Sequence, residues 1–160
     1  MQKIETKKWV TFIRKSFEKT DKQIDENTAE IIPIVMKNHS WYVQQLAHYT
    51  WNVTHNKATD TEILIALKEL ISANTPLYQK ETESISSTQL NLLKAVAKGE
   101  TQFTSTVVMR IYNLGTPRNV SKNKTILINS DVIHEVNNQF EFVDPAFEIF
   151  ISPSSSAHVF

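Results

Sequence analysis

The sequence predicts a mainly α-helical fold, a helical bundle followed by a winged helix-turn-helix with a small β-hairpin. Three observations carry this. Among 160 residues there are only two glycines and five prolines, too few breakers for a sandwich or barrel built on many tight turns. Apolar residues make up 41% of the chain and recur at helical spacing, enough to fill a core. From Ser86 to Ile151 the pattern changes to three short helices, a two-stranded hairpin and one more helical turn. A tight corner at Gly115-Thr116-Pro117 joins two of those helices, as a helix-turn-helix requires.

The elements follow in order. Trp9, Phe12, Ile13 and Phe17 place an amphipathic helix over residues 7–19, and Lys19 to Lys22 breaks it. Asp25 is set to cap a second helix carrying Ala29, Ile32, Val35 and Met36. Pro33 lies inside that helix and must kink or restart it. Asn38-His39-Ser40 forms a corner, with Ser40 as the cap of a third helix from Trp41 to Val53. That helix is apolar all round, so burial on more than one side is expected. Thr59 and Glu62 make a capping box for a fourth helix, with Ile63, Leu64, Leu67, Leu70 and Ile71 as its stripe. Asn74-Thr75-Pro76 is expected to interrupt it, with Leu77 to Glu83 either a bent continuation of the helix or a linker. Charge gives way to serine near Ser84, which puts the helical bundle at 1–84, the winged domain at 85–151 and a flexible tail at 152–160. The first core is expected to hold Trp41, Leu46, Trp51, Leu64 and Leu67.

In the second domain Ser86 and Gln89 form another capping box, and Leu90, Leu93, Val96 and Ala97 lead to Gly99, a left-handed helix end. Phe103 introduces the next helix, with Val107, Val108 and Ile111 expected inward. That helix should stop at Gly115. Thr116 then caps the third helix and Pro117 takes its first position, where the missing N–H is harmless. Val120 and Leu127 anchor the third helix to a core shared with Leu93 and Phe142. Val132–Val136 and Phe140–Val143 read as strands, and Asn137-Asn138 between them tolerates the positive φ of a tight hairpin. Asp144-Pro145 caps the last turn.

Composition excludes several function classes. With two glycines, no phosphate-binding GxxxxGK[ST] loop and no GxGxxG can be written. There is no cysteine, so disulfides and thiolate metal sites are out. The five histidines form no HExxH and no carboxylate-rich motif, so no metal site and no catalytic residue are expected. No apolar run reaches the roughly 18 residues of a membrane helix. The start of the chain lacks a signal-peptide core, and the expected location is cytoplasmic.

The chain has 17 basic and 17 acidic residues and no net charge, but their distribution is uneven. From Thr101 to Ser130 there is no Asp or Glu, while Arg110, Arg118, Lys122 and Lys124 fall inside. Advancing about 100° per residue from Val120 puts Arg118, Ser121, Lys122, Thr125 and Asn129 on the outward face of the third helix. Those residue types bond phosphates and base edges, so duplex DNA is the expected partner of this face, with Arg110 and Lys124 adding positive field. Lys124 lies nearer the core and must reach outward along its stem. Asn123 stands one turn after Val120, at a core position.

Four segments also resemble one family. His39-Ser40-Trp41-Tyr42-Val43-Gln44-Gln45-Leu46-Ala47-His48 resembles the helical lid of archaeal-type AAA+ ATPases. Ser86-Ser87-Thr88-Gln89-Leu90-Asn91-Leu92-Leu93-Lys94-Ala95-Val96-Ala97 resembles the start of their C-terminal winged helix. Tyr112 to Val120 and Phe142 to Glu148 are similar to later parts of it, in the same order, so the likeness covers residues 7–151. The resemblance implies a C-terminal portion, lid plus winged helix, of a larger ATPase whose P-loop domain holds ATP and Mg and is the partner of this portion. It places Asn38, His39 and Ser40 nearest the nucleotide and implies a lid that moves with nucleotide state. Ser40 stands where the family has proline, and Asn123 where it has an apolar residue. No arginine lies between Lys15 and Arg110, so the family's sensor-arginine role is not transferred. Two uses of the winged domain remain, DNA binding and protein contact, the latter including autoinhibition of the ATPase core.

Overall fold

The structure, a computed structural model, describes residues 3–152; among them are eight helices and four short strands. The expected tail lies outside the described residues apart from Ser152. The fold is mainly helical, as the sequence predicts. The chain divides into two compact units, one reaching Thr75 and one beginning at Pro76. The division lies earlier than the change of composition at Ser84, inside the helix α4 (Asp60–Ser84).

In the first unit, α1 (Thr6–Glu18) buries Trp9, Val10, Ile13 and Phe17 and packs on α2 (Glu26–Val35). Ile13 and Phe17 are each 1% exposed, and such a side chain contributes about 1.5–3 kcal/mol by leaving water. The polar break after α1 is tied down. The Thr20 hydroxyl donates to the Phe17 carbonyl at 2.9 Å, and Lys22 Nζ donates to the Trp51 carbonyl at 2.7 Å. Two short parallel strands, β1 (Gln23–Ile24) and β2 (Lys57–Ala58), pair Ile24 with Ala58. The Asp25 side chain makes no cap bond to α2; it meets Lys57 Nζ at 2.8 Å. The helix α2 runs through Pro33 and ends two residues on, with Lys37 and Asn38 at positive φ.

The helix α3 (Ser40–Val53) is capped by His39, so Ser40 is its first residue and not its cap. It buries Val43, Leu46 and Thr50, whereas Trp41 is 67% exposed and Trp51 half-buried. The expected burial on several sides therefore does not hold, and Trp41 leaves the core list. Leu64 is half-buried, and Leu67 is buried as expected. At the start of α4 the Thr59 N–H donates to Glu62 Oε2 at 2.8 Å, but the Thr59 hydroxyl also turns to Glu62. It accepts from the Thr61 N–H rather than from Glu62, so half of the box forms. The helix is not interrupted at Asn74-Thr75-Pro76. Asn74 Nδ2 donates to the Leu70 carbonyl at 2.9 Å and the Thr75 hydroxyl to the Ile71 carbonyl at 2.8 Å. These side chains add donors to the turn whose ladder the proline ring disturbs.

The second unit takes the end of α4 and then α5 (Ser87–Ala97), α6 (Thr106–Tyr112), α7 (Pro117–Asn129), β3 (Ile133–Val136), β4 (Gln139–Phe142) and α8 (Pro145–Ile151). This is the winged-helix order. The Ser86–Gln89 capping box is complete, and Gly99 closes α5 at φ 81°. The antiparallel wing pairs Val136 with Gln139 across Asn137 and Asn138, at φ 51° and 61°, as a two-residue hairpin requires. Leu93, Val120, Leu127, Phe142 and Phe147 form its core, each at most 2% exposed. Tyr78 from α4 joins them, with its ring centroid 5.3 Å from Phe147 and its hydroxyl donating to Asp144 Oδ2 at 2.8 Å. Asp144 Oδ1 in turn accepts from the N–H groups of Ala146 and Phe147 and caps α8.

Candidate nucleic-acid interface

The corner before α7 is built residue by residue. The helix α6 stops at Asn113, left-handed at φ 54°, two residues before the expected Gly115. Asn113 can serve because its short polar side chain tolerates this conformation. Leu114, 1% exposed, then turns inward as the pivot. Gly115 follows at φ 82°, where a Cβ would lie 2.7 Å from Asn119 Nδ2. The Thr116 hydroxyl accepts the Asn119 N–H at 3.3 Å, and Pro117 opens α7. The sequence reading of this cap and first position holds in the structure.

The face of α7 also emerges as the spacing predicts. Val120 and Leu127 are each 1% exposed and face the core. Arg118, Ser121, Lys122, Thr125 and Asn129 are all exposed. Thr125 donates its hydroxyl to the Ser121 carbonyl at 3.1 Å, which leaves its oxygen able to accept. Arg110 is exposed on α6. Lys124 is half-buried, its Nζ 4.7 Å from the Phe140 ring centroid, so its charge is spent on an aromatic face of the wing. Asn123 is only 8% exposed and donates from Nδ2 to Thr88 Oγ1 at 3.3 Å. It therefore sits in the core position with a side-chain partner. A groove of mixed polar and apolar lining, about 330 Å³, opens there between Ser86, Thr88, Gln89, Asn119, Lys122, Asn123 and Ile126.

Charge is divided within this unit. The acid-free stretch from Thr101 to Ser130 is followed by Asp131, Glu135, Glu141, Asp144 and Glu148, with no Lys or Arg from Thr125 to Ser152. The wing itself carries Glu135, which is exposed, and Glu141, whose Oε2 lies 3.6 Å from His134 Nε2, with Lys124 over its Phe140 ring; the positive field lies on α6 and the first half of α7. Tyr112 donates its hydroxyl to Glu100 Oε1 at 3.2 Å; desolvation, with the Glu100 hydrogen bond and charge, raises its pKa. It holds the loop between α5 and α6 rather than offering a reactive group.

Two residues overturn the expected core. Val107 and Ile111 are 66% and 67% exposed, while Val108 is 8% exposed. The helix α6 has two apolar stripes at i, i+4 spacing, Val107/Ile111 and Val108/Tyr112, and the fold turns the second inward, burying Val108 and half-burying Tyr112. Periodicity alone gave no choice between them. In the first unit, the residues that the resemblance places near a nucleotide form a bonded corner. Asn38 is at φ 57° and its Nδ2 donates to Thr6 Oγ1 at 3.1 Å; the His39 ring lies 6.3 Å from that of Tyr42; and Ser40 opens α3.

Residues 76–153 match the family model described as "Probable winged helix domain". The match begins where the second unit begins. No curated protein matches the sequence. Among solved structures, a Walker-type ATPase of Pyrococcus abyssi is similar with a TM-score of 0.69 at 16% identity, over 94% of this chain and 42% of that one. At that identity the likeness is one of fold, and this chain spans less than half the length of the ATPase it matches. Among the described residues no helix is long and apolar enough to cross a membrane.

Proposed function

We propose that this chain is the lid and winged-helix portion of a Walker-type ATPase, and that its winged unit binds duplex DNA through α7. The fold likeness over 94% of the chain and the four segments in family order support the first part. In this reading the corner Asn38, His39 and Ser40 faces the nucleotide, and the P-loop domain is the lid's partner. ATP and Mg belong to that domain. The glycines of this chain do not fit a phosphate cradle: Gly99 closes α5 and Gly115 lies in the corner before α7. No residue here is assigned to hold the nucleotide or to catalyse.

The observation that carries DNA binding is the outward face of α7, five exposed donors and acceptors with two full positive charges and no acid nearby in sequence. Arg118 and Lys122 neutralise phosphates, Ser121, Thr125 and Asn129 bond phosphate or base edges, and the N-terminal N–H groups of α7 add partial positive charge. Two strong charges give weak affinity, on the order of 10⁻⁴–10⁻⁶ M without a specific site. Fluorescence anisotropy with random duplex at low salt tests this. Arg118→Glu with Lys122→Glu is expected to abolish binding and leave the fold intact. A parent chain that fails to bind, or a double reversal that binds equally, passes the unit to the protein-contact reading. The exposed Val107 and Ile111 favour that second reading.

A further inference from the structure

Asn123 is 8% exposed, at a position where an apolar side chain would pack, and its Nδ2 donates to Thr88 Oγ1 at 3.3 Å. That bond limits where the neighbouring hydroxyls can point. Ser86 Oγ lies 3.3 Å from Thr88 Oγ1 and already accepts the Gln89 N–H at 3.2 Å. The two hydroxyls carry two hydrogens, and the bond between them uses one. The other finds no acceptor among the described residues. Both hydroxyls line the groove of about 330 Å³, on its α5 side, and Lys122 lines it on the α7 side. Both sides come from stretches without Asp or Glu, residues 84–99 and 101–130. Glu100 between them accepts the Tyr112 hydroxyl, and Glu83, exposed at the end of α4, does not line the groove. A cation and a spare hydroxyl hydrogen with no acid among the lining residues suit an oxyanion.

We infer that this groove seats one phosphodiester of the duplex, between the Lys122 ammonium and the Ser86–Thr88 hydroxyl pair, with Asn123 as the positioning residue behind it. The inference rests on the reading of α7 as a DNA-binding helix and extends that contact to α5. Lys122 is the shared residue. It is exposed on the outward face of α7 and also lines the groove, so the two surfaces are continuous. A phosphodiester offers two unesterified oxygens, one for the ammonium and one for the hydroxyl. Asn123 does not touch the phosphate. It occupies one lone pair of Thr88 Oγ1 and so directs the spare hydrogen. This gives a reason for a buried amide in the row of Val120 and Leu127, where burial of a polar group costs free energy. A free phosphate ion carries the same oxygens, and the test separates the two sources.

Fluorescence anisotropy of the full chain with random duplex, over a salt series, tests the inference. Thr88→Val should weaken binding about tenfold, as loss of a hydrogen bond to a charged group does, with the slope of log K against log salt unchanged because no charge is removed. Thr88→Ser keeps the hydroxyl and should bind like the parent. Thr88→Glu and Ser87→Glu put the same charge on the first turn of α5, where a helix start favours it. Only the first of these lies in the groove, so it should lose at least about tenfold more affinity than the second. This pair decides the matter if Thr88→Val fails to fold. Millimolar inorganic phosphate, against chloride at equal ionic strength, should leave the parent's affinity unchanged. A Thr88→Val chain that binds like the parent, or two glutamate variants that bind alike, overturns the inference while the DNA reading of α7 stands. Inorganic phosphate that releases the duplex from the parent assigns the groove to a free ion and overturns the diester. A parent that fails to bind at low salt removes the DNA reading and this inference with it.

Discussion

Asp144 joins three parts of the winged unit through one carboxylate. One oxygen caps α8 and the other holds the Tyr78 hydroxyl at 2.8 Å. Glu81 lies in its field, and desolvation together with the Asp144 charge raises the Glu81 pKa. A raised carboxyl pKa means that the fold favours the protonated form. The ionised group therefore destabilises the fold above its folded pKa, and this is relieved as pH falls into the ordinary carboxylate range. Glu81→Gln is expected to raise Tm at neutral pH, with the gain vanishing below that range. A pH series of thermal unfolding checks it, and an equal gain at every pH would contradict it. Exposure separates two other residues that the sequence placed alike in cores. Leu46 is fully buried, so Leu46→Ala should cost about 2–5 kcal/mol. Ile111 is exposed, so Ile111→Ala should stay within about 0.5 kcal/mol. Denaturant midpoints of the two variants decide this. The error at Ile111 has a physical source: α6 is amphipathic about two adjacent stripes, and only tertiary packing picks one.

Four helix and turn ends were legible, because they depend on neighbours in sequence; the Asp25 and Ser40 caps were not, since Asp25 turns to Lys57 and His39 takes the cap of α3. The Ser86–Gln89 box, the Thr116-Pro117 start, the Asp144-Pro145 cap and the Asn137-Asn138 turn all form as read. The fourth helix was less legible. Pro76 reads as a break, yet Asn74 and Thr75 bond the preceding carbonyls and α4 continues. The parallel pairing of Ile24 with Ala58 joins two-residue strands far apart in the chain, which no local periodicity can show. The two glycines separate local strain from packing. Both have positive φ, but a Cβ at Gly99 meets open space while one at Gly115 meets Asn119. Gly99→Ala should therefore cost about 1 kcal/mol, as left-handed strain does. Gly115→Ala should cost more, because the Asn119 side chain must also move. Equal losses in denaturant unfolding would show that the corner yields freely.

At the scale of the molecule, the fold class and the exposed face of α7 could be read from periodicity and charge, since both follow from residues close in sequence. What the chain contacts could not, because a polar helix face serves DNA, protein or water with the same residues. The absence of a phosphate loop from the sequence gives one direct expectation. Calorimetric titration of this chain with Mg-ATP should show no heat, since triphosphate charge has no nest of backbone N–H groups to meet. Micromolar binding would contradict it. The central claim is that α7 reads duplex DNA with Arg118 and Lys122 on phosphates. The salt dependence of duplex affinity measures this most directly, because each phosphate contact contributes a slope of about −0.9 in log K against log salt. Replacing both residues by alanine should flatten the slope by about 2 while leaving helicity unchanged. An unchanged slope, or no binding by the parent at low salt, would contradict the claim.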